Sequence, residues 1–220
     1  MVACFLLTSC SGRPNDLRHY ADKTTGAPTS AVTSQPRVTA SAPPSNDPAV
    51  VRRRAADVML TDGLVAEIGF SPRGPQQATV LERLPSCSAR LEQPTAGMEA
   101  TWAGTTPATT LSEYIAGYQD VTGAQVLETT QRGLHCRTYR AGDRTYQVTP
   151  VELASRPVGV DAYYAWCEQS AVGSADCAVL LGRGKLVAYL QVAATAETRA
   201  RNLLQQVVGP AATRLVTAGP

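Results

Sequence analysis

The segment Asp161–Ala193 reads DAYYAWCEQSAVGSADCAVLLGRGKLVAYLQVA, and the architecture follows from it. Asp161–Gln169 and Asp176–Leu181 are rich in the aromatic and apolar residues of strands, and the turn-forming run AVGS separates them. The run GRGK at 182–185 predicts a tight turn into a third strand, Leu186–Ala193. Three β-prone runs joined by short turns indicate an antiparallel sheet.

The clearest single element is a helix that follows this segment. Its apolar residues recur at i, i+3, i+4 and i+7, the stripe of a helix that lies on a sheet: Ala200, Leu203, Leu204 and Val207. We predict that Thr195 caps this helix and that Gly209-Pro210 ends it. Hairpins with helices at intervals, and no strand–helix–strand rhythm, indicate an α+β fold whose C-terminal helix packs on a mainly antiparallel sheet.

Two further helices are predicted upstream. Ala49–Leu60 has Asp47 as a candidate N-cap and Pro48 at its first position, where proline is well tolerated. Asp120 is the candidate cap of a helix over Val121–Gly133. Apolar residues are sparse in this second helix, so we expect it to pack only lightly on the surface.

Short strands account for much of the remaining domain. Turn-forming residues separate β-prone runs, which we assign to strands at Ala78–Leu84, around Trp102 and at Leu111–Tyr118, and to a hairpin that turns at Ala141-Gly142-Asp143. A short apolar stretch, Leu64–Phe70, precedes them and is closed by a loop that contains proline and glycine.

Composition excludes several classes of function. The chain has 220 residues, which suits one domain and a tail, and its formal net charge is only +2. So weak a charge predicts no nucleic-acid partner. Of its 20 basic residues all but Lys23 and Lys185 are arginine, a bias typical of high-GC genomes such as those of actinobacteria. No apolar run approaches the roughly 18 residues of a membrane-spanning helix.

The N-terminus has the pattern of a lipoprotein signal. Leu7-Thr8-Ser9-Cys10 matches a lipobox, in which Cys10 becomes the lipidated first residue of the mature chain. Residues 1–9 are shorter than a complete signal peptide and lack its basic region, so we expect a truncated signal or a start codon further upstream. The alternative is a soluble N-terminus with a chance Leu-x-x-Cys sequence.

Residues 10–48 fit a tether between that anchor and a domain at 49–220. Ser, Thr, Pro, Ala and Gly dominate this tether, which has almost no large apolar residues and is expected to be disordered. A coil of about 37 residues spans about 35 Å on average. The predicted location is the outer face of the cell membrane, with membrane lipid as one partner.

Six cysteines divide between these segments. Cys4 falls in the removed signal and Cys10 carries lipid. The four that remain in the domain are Cys87, Cys136, Cys167 and Cys177. An even number in an oxidising compartment predicts two disulfides, with three possible connectivities. Because Cys167 and Cys177 lie on the two arms of one predicted hairpin, they can pair across it, which favours Cys87 with Cys136 as the second bridge.

The sequence contains no motif of catalysis or cofactor binding. Gly-x-Ser-x-Gly, Ser-x-x-Lys and His-Glu-x-x-His are all missing. There is no Cys-x-x-Cys, and His19 and His135 are the only histidines, so we predict no zinc site and no cofactor. The GRGK run at 182–185 resembles the end of a phosphate loop, but a β-turn explains it better.

Two other groups of residues have side chains of the types used in catalysis, but their spacing does not fit a catalytic site. His135 and Cys136 are the residue types of a base and a nucleophile, yet neighbours on a strand point to opposite faces and Cys136 is expected to be oxidised. The carboxylates Asp161, Glu168 and Asp176 have no spacing that pairs them. We therefore expect a protein that is not an enzyme and has no catalytic residue.

Two groups of side chains are candidates for binding. Arg52-Arg53-Arg54 is able to meet anionic lipid or a wall polymer, although a solvated helix face is the simpler interpretation. Aromatic side chains are able to line a cleft for a sugar or an apolar ligand, or to fill the core, which we favour. They are Tyr114, Tyr118, Tyr139, Tyr146, Tyr163, Tyr164, Trp102 and Trp166.

The order of these features resembles the PknH-like extracellular sensor domain, a family found in actinobacteria on receptor serine/threonine kinases and on stand-alone lipoproteins. Cys87 precedes Trp102, and a strand and a helix then end in Leu-His-Cys at Cys136. A strand led by Cys177 enters GRGKLVAYL and the closing helix, so the resemblance covers roughly residues 55–217.

This resemblance implies an outward-facing α+β domain with two disulfides and a cleft that senses or binds a ligand. Cys87, Cys136 and Cys177 lie where the family's cysteines are expected, whereas the family's remaining cysteine is expected after the last strand, unlike Cys167.

The leading hypothesis is a non-catalytic, lipid-anchored sensor or ligand-binding domain of the cell envelope, for an unidentified small molecule or envelope ligand. A structural lipoprotein that docks a cell-wall or membrane-protein partner is the alternative. An uncharacterised hydrolase is less favoured, because no catalytic motif supports it.

Overall fold

A computed structural model of the chain describes residues 47–171 and 173–217. The lipobox with Cys10, and nearly all of the predicted tether, lie outside these residues. The first helix, α1 (Pro48–Val58), begins as predicted, because the Asp47 side chain caps it by accepting a hydrogen bond from the Ala49 N–H at 2.8 Å. None of the described helices is long and apolar enough to cross a membrane.

The described strands form one nine-stranded antiparallel sheet. In chain order they are β1 (Phe70–Pro72), β2 (Gln77–Ala78), β3 (Ala96–Gly104), β4 (Thr110–Gly117), β5 (Thr138–Ala141), β6 (Arg144–Pro150), β7 (Ala162–Ser170), β8 (Ala175–Arg183) and β9 (Leu186–Ala194). Their order across the sheet is β1-β3-β4-β9-β8-β7-β6-β5, and β2 also pairs with β3. The predicted α+β class and antiparallel sheet are confirmed.

Three helices cover one face of the sheet, which we call the helical face. They are α1, the short α2 (Asp62–Ala66), which the sequence did not predict, and the C-terminal α4 (Glu197–Thr217). Leu190 of β9 and Leu204 of α4 are fully buried within this layer. Apolar burial between helices and sheet is therefore the main stabilising contribution here.

The predicted end of the C-terminal helix at Gly209-Pro210 is wrong, because α4 runs through Pro210 to Thr217. A proline inside a helix removes one backbone hydrogen bond and costs about 3 kcal/mol. Beyond Pro210, however, Ala211 and Leu215 are buried against the sheet, and burying one Leu side chain alone contributes about 1.5–3 kcal/mol. Packing on the sheet thus keeps the last turns helical.

The opposite face, which we call the groove face, is covered in part by α3 (Gly123–Gly133). The predicted cap Asp120 is wrong: Thr122 is the N-cap, in a reciprocal capping box with Gln125 that satisfies two backbone N–H groups. The helix is also more than lightly packed, since Val126 is fully buried. Gly123 allows this approach, because a Cβ there would lie 2.5 Å from the Leu186 carbonyl oxygen.

The predicted strand Ala78–Leu84 is also wrong. The strand paired with β3 ends at Ala78, although the Thr79 N–H still donates to the Gly97 carbonyl of β3 at 3.1 Å. Residues 79–91 form a loop over the groove face with one helical turn at Ser86–Ser88. The Leu81 N–H donates to the Tyr114 hydroxyl at 3.0 Å instead of to another strand. A side chain thus takes the backbone donor that a strand partner would have satisfied.

Each face of the sheet has one of the two predicted disulfides. Cys167–Cys177 joins directly opposite residues of β7 and β8, with 4.0 Å between the Cα atoms, and is buried in the helical face. Cys87–Cys136 joins the 79–91 loop to the residues that precede β5, with 6.0 Å between the Cα atoms. This second bridge packs at the edge of the groove face.

Candidate functional site

The groove face differs from the helical face in the side chains that its central strands present. Cross-strand pairing places Tyr114 of β4 beside Tyr189 of β9, and Trp166 of β7 beside Ala178 of β8. The side chains of Trp166 and Tyr189 stack with 6.1 Å between ring centroids. Aromatic rings with polar tips suit a surface that is apolar in its body and able to bind hydrogen-bonding groups.

A cavity of about 130 Å³, which we call the groove, lies over β4 and β9. Its floor is polar and consists of Ser112, Tyr114, Tyr189 and Gln191, with the exposed Glu99 at one side. Its rim is the start of the 79–91 loop and consists of Thr79, Leu81 and Pro85. The Tyr189 hydroxyl donates to Gln191 Oε1 at 3.0 Å, which orders the floor.

A buried carboxylate lies next to the groove. The Oε1 atom of Glu168 accepts hydrogen bonds from the Ser86 hydroxyl and, at 2.8 Å, from Trp166 Nε1, while its Oε2 accepts one from the Tyr139 hydroxyl. Asp176 lies directly opposite Glu168 on the neighbouring strand. We call these five residues the Glu168 cluster.

Burial and charge perturb the titration of this cluster. Burial, and next to it the negative charge of Glu168, raise the pKa of the Asp176 carboxyl to about 6. Burial raises the pKa of Tyr139, and its hydrogen bond to Glu168 adds to this effect. Burial likewise raises the pKa of Tyr189, and the negative charges of Glu168 and Asp176 raise it further. The cluster is therefore a region of negative potential with little access to water.

The turn that brings Ser86 to Glu168 has an unusual backbone. Cys87 and Ser88 have φ values of +56° and +50°, in the left-handed region that residues with a Cβ normally avoid. Such conformations cost about 1–2 kcal/mol per residue, so neighbouring contacts must hold them. The Ser86–Glu168 hydrogen bond immediately precedes the strained residues, and the Cys87–Cys136 disulfide is formed by the first of them.

The groove and the Glu168 cluster share a boundary. Pro85 of the rim immediately precedes Ser86, and Tyr189 of the floor is close enough to feel the charges of Glu168 and Asp176. The rim and the cluster are therefore adjacent, through Pro85 and Ser86 in the loop.

Larger depressions elsewhere do not lie over the centre of the sheet or lack aromatic side chains. A cavity of about 250 Å³ lies between residues 153–158 and α4, and no carboxylate or aromatic side chain lines it. Another, of about 530 Å³, lies among loops beside Pro48 and Tyr118. The groove is smaller, but it is the depression in which polar and aromatic side chains converge on a sheet.

The expectation that the three carboxylates are not paired is wrong for two of them. Glu168 and Asp176 face each other across β7 and β8, one position from the Cys167–Cys177 bridge. The hairpin register implied by that bridge is a sequence signal that pairs them. Asp161 lies apart and accepts hydrogen bonds from Arg183 Nη1 and the Gly184 N–H, each at 2.7 Å.

That contact of Asp161 also shows that the GRGK run at 182–185 is not a phosphate loop. A phosphate loop binds anions through free backbone N–H groups, but the Gly184 N–H is already bonded to a carboxylate. The run is a turn between β8 and β9, as predicted. His135 is exposed and Cys136 is in a disulfide, so this pair is not a nucleophile and base.

The aromatic candidates divide between core and groove. Trp102, Trp166 and Tyr118 are buried, as the core interpretation predicts. Tyr114 is buried too but also lines the groove, together with Tyr189, which the sequence did not single out. Only the register of β4 and β9 places these two side chains together.

The remaining candidates give no second site. Arg52, Arg53 and Arg54 are exposed on α1, and no hydrogen bond or ion pair to another described residue involves them. In the described part of the chain, no three His, Cys, Asp or Glu side chains are grouped as metal ligands.

Comparisons with known proteins identify the fold. No protein-family model and no curated protein matches the sequence. The structure is similar to the crystal structure of the extracellular domain of PknH from Mycobacterium tuberculosis, with a TM-score of 0.51 and 13% sequence identity over 76% of this chain and 94% of that chain. It also matches an uncharacterized protein, the Rv0999 ortholog, of Mycobacterium smegmatis, with a TM-score of 0.40 and 14% identity over 69% and 97% of the two chains.

Proposed function

We propose that this protein is a non-catalytic, lipid-anchored domain on the outer face of the cell membrane and that it binds a small polar ligand in the groove. The observation that carries the proposal is the floor of the groove, where Ser112, Gln191 and two tyrosines converge on one cavity. Their hydroxyl and amide groups both donate and accept hydrogen bonds, and the carboxylate of Glu99 accepts them, so a ligand with several hydroxyl or amine groups fits this floor. The aromatic rings supply apolar contact to its body.

Three features support the outward location. Two disulfides suit an oxidising compartment, and the Leu7-Thr8-Ser9-Cys10 sequence suits lipidation at Cys10. The likeness in fold to an extracellular domain agrees with this location. The segment 10–48 has the composition of a tether.

Binding is tested by thermal shift of the full chain against a panel of sugars, amino sugars, amines and polyols. We expect at least one compound to raise the melting temperature, because a ligand that binds only the folded state stabilises it. Gln191→Ala is expected to abolish that rise, and Ser155→Ala, outside the groove, is the matched control. A panel without effect, or a shift that survives Gln191→Ala, contradicts binding in the groove.

Anchoring is tested separately with Cys10→Ala. We expect the wild-type chain, expressed with a complete signal peptide in an actinobacterial host, to sediment with membranes. The variant is expected in the soluble extracytoplasmic fraction. Equal membrane association of both chains contradicts lipidation at Cys10.

A second candidate function is docking of an anionic partner through Arg52, Arg53 and Arg54. Their exposure without an ion pair to another described residue favours it. Substituting all three by Gln is expected to abolish salt-sensitive capture of an anionic wall polymer if this surface acts in docking. Capture that is unchanged by the substitutions contradicts this function.

A further inference from the structure

We propose that the groove is one half of a larger site and that the ligand of this site is an α-amino acid. The ammonium group of the ligand binds Glu99, its carboxylate binds Arg73, and its side chain lies over the tyrosines of the groove. This inference rests on the proposed function of the groove, for which it names the class of ligand.

A second cavity, of about 220 Å³, lies beside the groove, and we call it the head cavity. Glu99 lines both cavities, so the same side chain borders each of them. The other residues that line the head cavity are Arg73, Gly74 and Pro75 of the turn after β1, Gln77 of β2, and Ala100 and Thr101 of β3.

Strand register joins the head cavity and the groove into one surface. Four residues lie directly opposite one another on the neighbouring strands β2, β3, β4 and β9: Gln77, Glu99, Tyr114 and Tyr189. Directly opposite residues of an antiparallel sheet project from the same face, so this row runs from the head cavity into the groove. Neighbouring strands are about 4.8 Å apart, and the row is therefore about 14 Å long.

The backbone holds Arg73 next to the strand that carries Glu99. The Arg73 N–H donates a hydrogen bond to the Thr101 carbonyl of β3 at 2.9 Å. This bond fixes the start of the turn between β1 and β2. A guanidinium group and a carboxylate therefore border the same cavity, and both side chains are exposed.

These two charged groups have no partner among the described residues. The ion pairs in this part of the chain involve other side chains, and neither Arg73 nor Glu99 forms a side-chain hydrogen bond to another described residue. Glu113 also borders the groove, but its Oε2 accepts a hydrogen bond from the Leu60 N–H on the helical face. The two cavities together thus present one carboxylate and one guanidinium to a ligand.

This pair of charges matches the head group of an α-amino acid. At neutral pH that head group has an ammonium, which donates to a carboxylate, and a carboxylate, which accepts two hydrogen bonds from a guanidinium. Both groups are bonded to one carbon atom, so they fit within a single cavity of about 220 Å³. A plain amine would leave Arg73 without a partner, and a neutral sugar would leave both charges without one.

The groove then receives the side chain of the amino acid. From Glu99 the row continues over Tyr114 and Tyr189, whose rings supply apolar contact. Ser112 and Gln191 supply hydrogen-bonding groups on the same floor. An amino acid with a long side chain that ends in a polar group therefore suits the combined site.

The test is isothermal titration calorimetry of the full, oxidised chain. It compares α-amino acids, among the amines of the thermal-shift panel, with their N-acetyl derivatives, which lack the positive charge, and their carboxamides, which lack the negative charge. We expect at least one amino acid to bind and each of its derivatives to bind about fivefold more weakly, the size of one exposed ion pair. No binding by any amino acid, or equal affinity of an amino acid and its derivatives, overturns the proposal.

Two substitutions assign each charge of the ligand to its partner. Glu99→Gln is expected to abolish the difference between the amino acid and its N-acetyl derivative, and Arg73→Gln the difference from the carboxamide. Glu152→Gln and Arg140→Gln change exposed charges outside both cavities and are the matched controls, which should retain both differences. A difference that persists in Glu99→Gln or in Arg73→Gln overturns the proposal.

The same measurements distinguish failure of this proposal from failure of the proposed function. Neutral compounds that bind and lose their affinity in Gln191→Ala, while no amino acid binds, support the groove and overturn the amino-acid ligand. An amino acid whose binding requires Arg73 and Glu99 but not Gln191 supports recognition in the head cavity and contradicts binding in the groove.

Discussion

The two faces of the sheet are stabilised in different ways. On the helical face, Leu, Val and Ala side chains of α1, α4 and the strands form a continuous apolar layer. On the groove face, hydrogen bonds to Glu168 and the Cys87–Cys136 disulfide join loops to the strands and to one another. Apolar burial is insensitive to direction, whereas hydrogen bonds and charges depend on geometry and pH. The groove face has an apolar layer of its own, which includes Leu127 and Leu180, and these polar contacts and the bridge are added to it.

Each face also buries one carboxyl group, and the difference between them is instructive. Glu113 of β4 lies under the junction of α1 and α2, where its Oε2 accepts a hydrogen bond from the Leu60 N–H at 2.8 Å and its Oε1 has no partner. Glu168 on the groove face uses both oxygens, for three donors. One carboxyl is enclosed by apolar packing, and the other organises the contacts around it.

The largest effect is expected from removing the groove-face disulfide. Cys87→Ala with Cys136→Ala opens a loop of 49 residues, for which the chain-entropy estimate is about 4 kcal/mol of unfolding free energy. Chemical denaturation of the oxidised chains measures this loss. Exchange rates should rise on the groove face and stay low in α4, and a uniform rise would contradict the proposed separation of the two faces.

A somewhat smaller effect is expected at Glu113 on the helical face. Burial raises its pKa to about 8, opposed by the Leu60 N–H and the charge of Arg214. Because the folded pKa is raised, the contribution of Glu113 to stability is fully present below pH 4.5 and is lost progressively as pH rises to about 8. Glu113→Gln keeps the acceptor for Leu60 and should be more stable than wild type at pH 7 by roughly 3 kcal/mol, with a difference below about 1 kcal/mol at pH 5.

Denaturation of both chains between pH 5 and pH 9 provides the measurement for Glu113. The variant should show a flatter profile of unfolding free energy. Parallel profiles of the two chains would mean that Glu113 does not titrate in this range.

The smallest of the three effects is expected at Asp176 on the groove face. Its folded pKa of about 6 lies above the ordinary value, so the wild type loses stability as pH rises through this range. Asp176→Asn should be more stable than wild type above pH 6 by about 2 kcal/mol, reduced for partial solvent screening, and equal to it near pH 4. A thermal unfolding series across pH measures the difference, and a stabilisation that is the same at all pH values would exclude charge as its cause.

A stabilising substitution at Asp176 bears on function. Residues that cost stability in the folded state are often located where binding or movement requires them. The charge of Asp176, beside Glu168 and the groove, is such a cost.

The hairpins were predictable because their signals are local. The runs in Asp161–Ala193 alternate with turn residues, and β7, β8 and β9 form where these runs predict them. The start of the first helix follows from two adjacent residues, the cap Asp47 and Pro48 at the first helical position. Short-range rules of capping and turn formation do not need the rest of the molecule.

The errors occur where distant contacts override local preference. Pro210 is a local stop signal, but the buried apolar stripe of α4 continues past it. The 79–84 segment has strand-forming residues, but the Tyr114 hydroxyl takes the Leu81 N–H and the chain becomes the rim of a groove. Both outcomes depend on residues far away in the sequence.

By itself, the sequence determined the α+β class, the hairpins of the sheet, the number of disulfides and the expectation of a secreted, anchored chain. The class and the hairpins follow from periodicity and turn residues, which act over a few positions of the chain. The number of disulfides follows from the cysteine count. The groove and the Glu168–Asp176 pair were decided by tertiary structure, because strand order places β4 beside β9 and register places residue 168 opposite residue 176. A binding floor built from β4 and β9 exists only after those two strands have paired.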